Sequence, residues 1–218
     1  MQKMEADQFI SKQIIKPSSP TPQNLRPFKM SFIDQLCPIM HIPLLLFYPN
    51  TEKDHVAHQD RLERLKTSLS KTLTHFYPMA GRVSKDNQII EFDDEGVEFC
   101  ETRVDGFLSD IFKQPDADFL HQLEPVQDAH LESVFLLKVQ VNLFKCGGMV
   151  IGVSSSHKIT DGSTMGLFIK AWSCNANGCF NVSMLPKYIL EPYFPSMEFL
   201  KNPPPFAGRK SSNTVQRR

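Results

Sequence analysis

A chain of 218 residues is long enough to bury a substantial core, as one large domain or two small ones. Its 41% hydrophobic and 22% charged residues are ordinary for a globular protein. The 24 basic and 24 acidic residues cancel, which argues against a general attraction to nucleic acid or an anionic membrane, and no apolar run reaches the ~18 residues of a membrane helix.

The start, Met1-Gln2-Lys3-Met4-Glu5-Ala6-Asp7, lacks the apolar core of a signal peptide. Phe9 to Lys16 reads as a strand, stopped by Pro17-Ser18-Ser19-Pro20-Thr21-Pro22, an extended surface linker. Ile39 to Tyr48 is a second apolar segment, and Pro43 makes it an edge strand or a bulged one. Asp60 to Phe76 carries the clearest helix: Leu62, Leu65, Leu69, Leu73 and Phe76 fall at steps of three and four, with Asp60 as a candidate N-cap. Pro78 and Gly81 end it, and the corner around Tyr77 and Arg82 reads as packed, with the arginine solvated.

From Val83 to Val104 short strands with turns follow, including Ile89 to Phe92 and Val97 to Thr102 around a turn at Asp93-Asp94-Glu95-Gly96. Asp105 to Leu131 is acidic, with a short helix near Phe107 to Phe112. Phe135 to Leu143 alternates apolar residues with Lys138, Gln140 and Asn142, the period-two mark of a half-buried strand. Lys145-Cys146-Gly147-Gly148 is turn chemistry, and Met149 to Val153 returns as a more apolar strand. Gly162-Ser163 opens a helix with Met165, Phe168, Ile169 and Trp172 on one face, stopped at Asn177-Gly178. After Ser183 the prolines exclude regular structure, so residues 1–183 read as a domain and 184–218 as a proline-rich crossover linker. Cys37, Cys100, Cys146, Cys174 and Cys179 are odd in number and form no C-x-x-C pair. They read as small buried hydrophobes in a reducing cytoplasm, without disulfides or a zinc site.

Ser156-His157-Lys158-Ile159-Thr160-Asp161-Gly162 sits between the last strand and the last helix. The His-x-x-x-Asp spacing alone would arise about 0.4 times by chance in such a chain, and about 0.02 times with the glycine required. A histidine here suits a general base, because its unperturbed pKa lies near neutrality and it can both take and return a proton. Asp161 could hold the second ring nitrogen of His157 as in a triad, or turn away and fix the loop through an arginine. The bland alternative makes His157 a satisfied strand-end histidine and Asp161 the N-cap of the following helix. Gly162 would permit close backbone approach where strand becomes helix. The histidine pair His55 and His58 lies in a polar loop and is a poor metal site. Ser154, Ser155 and Ser156 lack the G-x-S-x-G frame of a nucleophile elbow.

Four segments together carry a resemblance: Lys16 to Pro22, Leu73 to Arg82, Phe144 to Gly152, and Ser156 to Gly162 running into Ala171-Trp172. In this order the chain resembles the plant BAHD acyltransferases, in their vinorine synthase-like branch. The resemblance implies an α/β (mixed α+β) fold of the chloramphenicol acetyltransferase-like two-layer type. It implies an acyl-CoA-dependent transferase acting on a hydroxyl or amine of a plant specialised metabolite, such as an alkaloid. His157 would be the base, Asp161 and Gly162 would shape the motif, and no metal or covalent intermediate would be needed. Acyl-CoA, acetyl-CoA for example, would be a cosubstrate rather than a bound cofactor, and full-length members would be monomers. Such enzymes are roughly double this length, so the sequence is expected to be an N-terminal half lacking the second domain. The same His-x-x-x-Asp-Gly occurs in transacylase trimers near the chain's end, whereas here a proline-rich tail follows it.

Overall fold

The computed structural model describes residues 8–38, 40–50, 58–92, 94–126, 135–181 and 185–200. In chain order the strands are β1 (Gln8–Ile15), β2 (Phe28–Lys29), β3 (His41–Tyr48), β4 (Arg82–Val83), β5 (Ile89–Glu91), β6 (Val97–Val104), β7 (Leu137–Phe144) and β8 (Met149–Ser156). The helices are α1 (Phe32–Leu36), α2 (His58–His75), α3 (Leu108–Lys113), α4 (Ala117–Gln122) and α5 (Gly162–Asn177). The main sheet is five-stranded, in the order β1-β6-β7-β8-β3; β2, β5 and β4 form a separate three-stranded sheet. None of the described helices is long and apolar enough to cross a membrane.

β6 and β7 run parallel while the other neighbours of the main sheet are antiparallel. A parallel pair needs a long crossover, and the segment between them carries α3 and α4. β7 and β8 form the hairpin expected around Gly147, whose φ of +82° suits glycine. β3 ends the sheet, and Pro43 is thus tolerated on an edge strand.

One face of the sheet is apolar. Leu137, Val139, Val141, Ile151 and Val153 meet Leu69, Leu73 and Phe76 of the α2 layer and Phe168 and Trp172 of α5. The leucine and aromatic periodicities placed both helices on this core, although α2 begins at His58, so Asp60 lies in its first turn rather than at its cap. There its charge still suits the helix dipole. Gly178, at φ +71°, closes α5 where Asn177-Gly178 signalled a stop.

The other face departs from expectation. β7 is buried along its whole length, on both sides, rather than half-buried. The crossover lies over its polar residues and gives them partners. Asn142 Nδ2 donates to the carbonyls of Leu123 (2.9 Å) and Val150 (3.1 Å), and its Oδ1 accepts from Thr102 Oγ1 (2.6 Å) and Gln140 Nε2 (2.9 Å). Gln140 Nε2 also reaches the carbonyl of Gln122 (2.9 Å), and Lys138 Nζ that of Val126 (2.9 Å). Gly152 allows this approach: a Cβ there would lie 2.4 Å from the carbonyl oxygen of Leu123.

Other corrections are local. The Pro17 to Pro22 segment is extended but fastened: Ser18 N donates to Ser70 O (3.0 Å), and buried Thr21 donates through Oγ1 to Asp94 (2.7 Å). Arg82 is not solvated; its guanidinium lies 4.0 Å from the centre of the Phe135 ring and donates to Gly81 O (2.8 Å). All five cysteines are free thiols, but Cys100 alone is buried and Cys179 is exposed. β2, α1 and α4 have no counterpart in the sequence reading, and β4 falls at the very start of the stretch read as short strands. The described part of the proline-rich tail, 185–200, is irregular apart from a turn of 3-10 helix at Glu198–Leu200. It packs on α1, with Phe32 N donating to Phe194 O (2.9 Å) and Met197 N to Gln35 Oε1 (2.8 Å). His55, Asp93 and the basic end 201–218 lie outside the described residues.

Candidate active site

His157 is the first residue beyond β8. Its backbone N–H donates to Met40 O (2.8 Å), continuing the pairing of Ser156 with His41 on β3. The chain then turns back on itself. Ser156 O accepts from Ile159 N and Thr160 N (both 3.2 Å) and from Thr160 Oγ1 (2.7 Å). Ser155 and Thr160 share a second hydroxyl contact of 2.7 Å. Ser154, Ser155 and Ser156 are all buried, and the hydroxyls of Ser155 and Ser156 brace the turn through Thr160 and Lys158 N.

Lys158 is the residue the sequence reading passed over. It is 1% exposed, and its Nζ donates to the carbonyls of Gln35 (2.8 Å) and Asp34 (3.3 Å) at the end of α1. A cation suits this position, since a helix C-terminus presents unpaired carbonyls and partial negative charge. Burial pushes its pKa below the ordinary lysine value, partly offset by Cys37 and Asp34. The α1 helix is itself set by a capping box in which Ser31 and Asp34 bond reciprocally. Ser31-x-x-Asp34 was therefore a legible signal for α1.

Asp161 does not touch the imidazole. Its carboxylate caps α5, accepting from Thr164 N (2.7 Å), and the Thr164 hydrogen bonds hold its pKa below the usual carboxylate range. Of the two functional arrangements weighed from spacing, the triad is absent; the cap belongs to the bland alternative. His157 Nδ1 is buried with no hydrogen-bond partner among the described residues. Gly162 is exposed, and a Cβ there would meet nothing within 4 Å, so close backbone approach does not explain it.

His157 opens on a cavity of about 230 Å³. Phe28, Ile33 and Pro78 form one wall, and Tyr188 and Ile189 of the tail form another. Tyr188 packs edge-on against Phe28 (5.5 Å between ring centres) and Tyr77 (5.4 Å). Thus the Leu73 to Arg82 corner lines the same cavity as the histidine through Pro78 and, through Tyr77, braces Tyr188. Cys37 also lines the cavity, but burial and the Asp34 charge push its thiol pKa up, which disfavours a thiolate. His58 lies apart, with Nε2 3.4 Å from Gly147 O. Among the described residues no three His, Cys, Asp or Glu side chains gather as metal ligands.

Comparison with known proteins places this geometry. The chain is 39% identical to salutaridinol 7-O-acetyltransferase of Papaver somniferum over 213 residues, which take in 91% of this chain and 44% of that relative. It is 37% identical to vinorine synthase of Rauvolfia serpentina over 201 residues, 89% of this chain and 47% of the relative. A crystal structure of vinorine synthase matches the fold with a TM-score of 0.79 at 36% identity, covering 90% of this chain and 48% of the other. The chain spans about half the length of the curated relatives it matches. The profile of the Transferase family matches residues 8–211. With the family profile, the fold and these relatives agreeing, the chain belongs to the Transferase family, the plant BAHD acyltransferases.

Proposed function

We propose that this chain supplies the histidine-bearing half of an acyl-CoA-dependent acyltransferase site, with His157 as general base. The acceptor is a hydroxyl- or amine-bearing plant specialised metabolite, a class that includes alkaloids. The activities for which its relatives are named, salutaridinol 7-O-acetylation and stemmadenine O-acetylation, support that class. The observation that carries the reading is the position of His157: fixed at a strand end, facing a cavity, with no side chain bonded to its ring among the described residues.

In the reaction, the imidazole takes the acceptor's proton as its oxygen or nitrogen bonds to the thioester carbonyl carbon. The tetrahedral intermediate collapses, the carbon–sulfur bond breaks, and the imidazolium returns the proton to the departing thiolate. Asp161 acts at a distance from the proton, by starting α5 and so closing the turn that aims His157. Lys158 anchors the same turn to α1. The second wall, the donors for the developing oxyanion and the coenzyme A contacts come from the portion of the relatives that this chain does not span. Donors of that kind contribute several kcal/mol, about 2.7–4 for one oxyanion-hole group. The 218-residue chain alone therefore has little or no turnover, and its place of work is the cytoplasm. The alternative is a non-catalytic fragment or interaction remnant of such an enzyme.

The test is acetyl transfer from acetyl-CoA, measured for the chain alone and for a chimera carrying the unmatched second half of vinorine synthase. The chimera should turn over and lose at least about a hundredfold with His157→Ala. A chimera whose turnover survives that substitution removes His157 from the base role. Robust His157-dependent turnover by the isolated chain would overturn the incompleteness of its site.

A further inference from the structure

A second cavity, of about 290 Å³, lies at the other end of α5 from the His157 turn. Trp172 on its wall stands ten residues into the helix from Gly162, a rise of about 15 Å. Its floor is apolar, built from Leu46 and Ile151 of the sheet, Leu65 of α2, and Ile169 and Trp172 of α5. Its rim carries Arg61 and Arg64, and none of the described residues that line it is acidic. Arg61 is tied down, donating to Gly147 O (3.1 Å) and Asn50 Oδ1 (3.3 Å). Arg64 is exposed and has no ion-pair or hydrogen-bond partner among the described residues.

An apolar well under an uncompensated guanidinium selects a ligand with an apolar body and an anionic head. Water is displaced from the floor, and the head gains a charge-assisted bond at the rim. The volume is at the small end for ligand sites, which suits one ring or a single medium-length alkyl chain rather than a polycyclic body. We propose that this cavity is a second binding site, independent of the His157 chemistry, for a small amphipathic anion such as a medium-chain carboxylate. Its chain lies against Trp172 and its head meets Arg64.

Trp172 is the one tryptophan in the sequence, so its emission reports on the cavity directly. The full 218-residue chain is titrated with sodium decanoate below its micelle concentration. Decyltrimethylammonium, with the same chain length and the opposite head charge, is the control. Decanoate should give a saturable change in Trp172 emission, while the ammonium probe gives a much weaker one. Arg64→Glu should weaken decanoate binding about tenfold, the scale of one charge-assisted contact. Ala176→Leu, which narrows the cavity from the α5 side, should remove saturation without unfolding the helix, as checked by circular dichroism. The proposal fails if the change does not saturate, if both probes act equally, or if Arg64→Glu leaves decanoate binding unaltered. Binding elsewhere, including at His157, would show itself by insensitivity to both variants.

Discussion

The two faces of the main sheet are built differently: one is apolar, while the other adds a ladder of buried polar side chains to an apolar patch under α3 and α4. Beneath α2 and α5, the side chains of β7 and β8 are apolar, and burial needs only shape and volume to succeed. Beneath the β6–β7 crossover, β7 presents Lys138, Gln140 and Asn142, also buried, and each is matched by a specific carbonyl or side chain. The first face tolerates many arrangements of similar volume. The second accepts one arrangement, because a buried amide loses more by missing a partner than it gains by finding one. The polar ladder therefore does what greasy packing does less well: it fixes where the crossover sits.

Truncations rank the two faces. The largest loss falls on the apolar one: Phe99→Ala, at a side chain with no exposed surface, should cost about 3–5 kcal/mol in denaturant unfolding. Asn142→Ala should come next, at about 2–3 kcal/mol, because it strips partners from Leu123 O, Thr102 and Gln140 together. It should also speed proteolysis between residues 105 and 126, which Phe99→Ala at equal stability should not do. Equal cleavage in both variants would contradict the positioning role given to the ladder. Smallest is Asp161→Ala at the start of α5, about 1 kcal/mol for a lost N-cap, with Asp161→Asn close to wild type. Asp161 has its folded pKa lowered, so its stabilisation is present above the ordinary carboxylate pKa and fades as pH falls through the lowered one. The gap between wild type and Asp161→Ala should accordingly narrow in acid, below about pH 4. A gap that widened there would contradict the capping role.

The His157 turn shows the same division on a smaller scale. Strand, histidine, aspartate, glycine and amphipathic helix follow one another in the chain, and local periodicity was enough to align them. Their partners come from far away. Lys158 is held by α1, more than a hundred residues earlier, and Met40 and Pro78 shape the setting of His157. No sequence period marks a contact of that separation. Asp161 offered three roles at one spacing, and only the direction of its side chain, set by the first turn of α5, separates the cap from the relay. Gly162 is the opposite case: a conspicuous residue for which the described fold offers no steric reason.

The sequence by itself determined the elements that alternate at two or near 3.6 residues, the place of the histidine between strand and helix, and the resemblance to the acyltransferases. These are properties of neighbours along the chain, where pleat and helix pitch dictate which side chains share a face. Tertiary structure alone decided that the polar face of β7 is dry, that Asp161 caps rather than relays, that Lys158 is buried, and that the tail returns to wall the cavity. Each depends on a segment distant in sequence arriving to replace water, and a pattern of residue types says which face a side chain takes but not what comes to cover it.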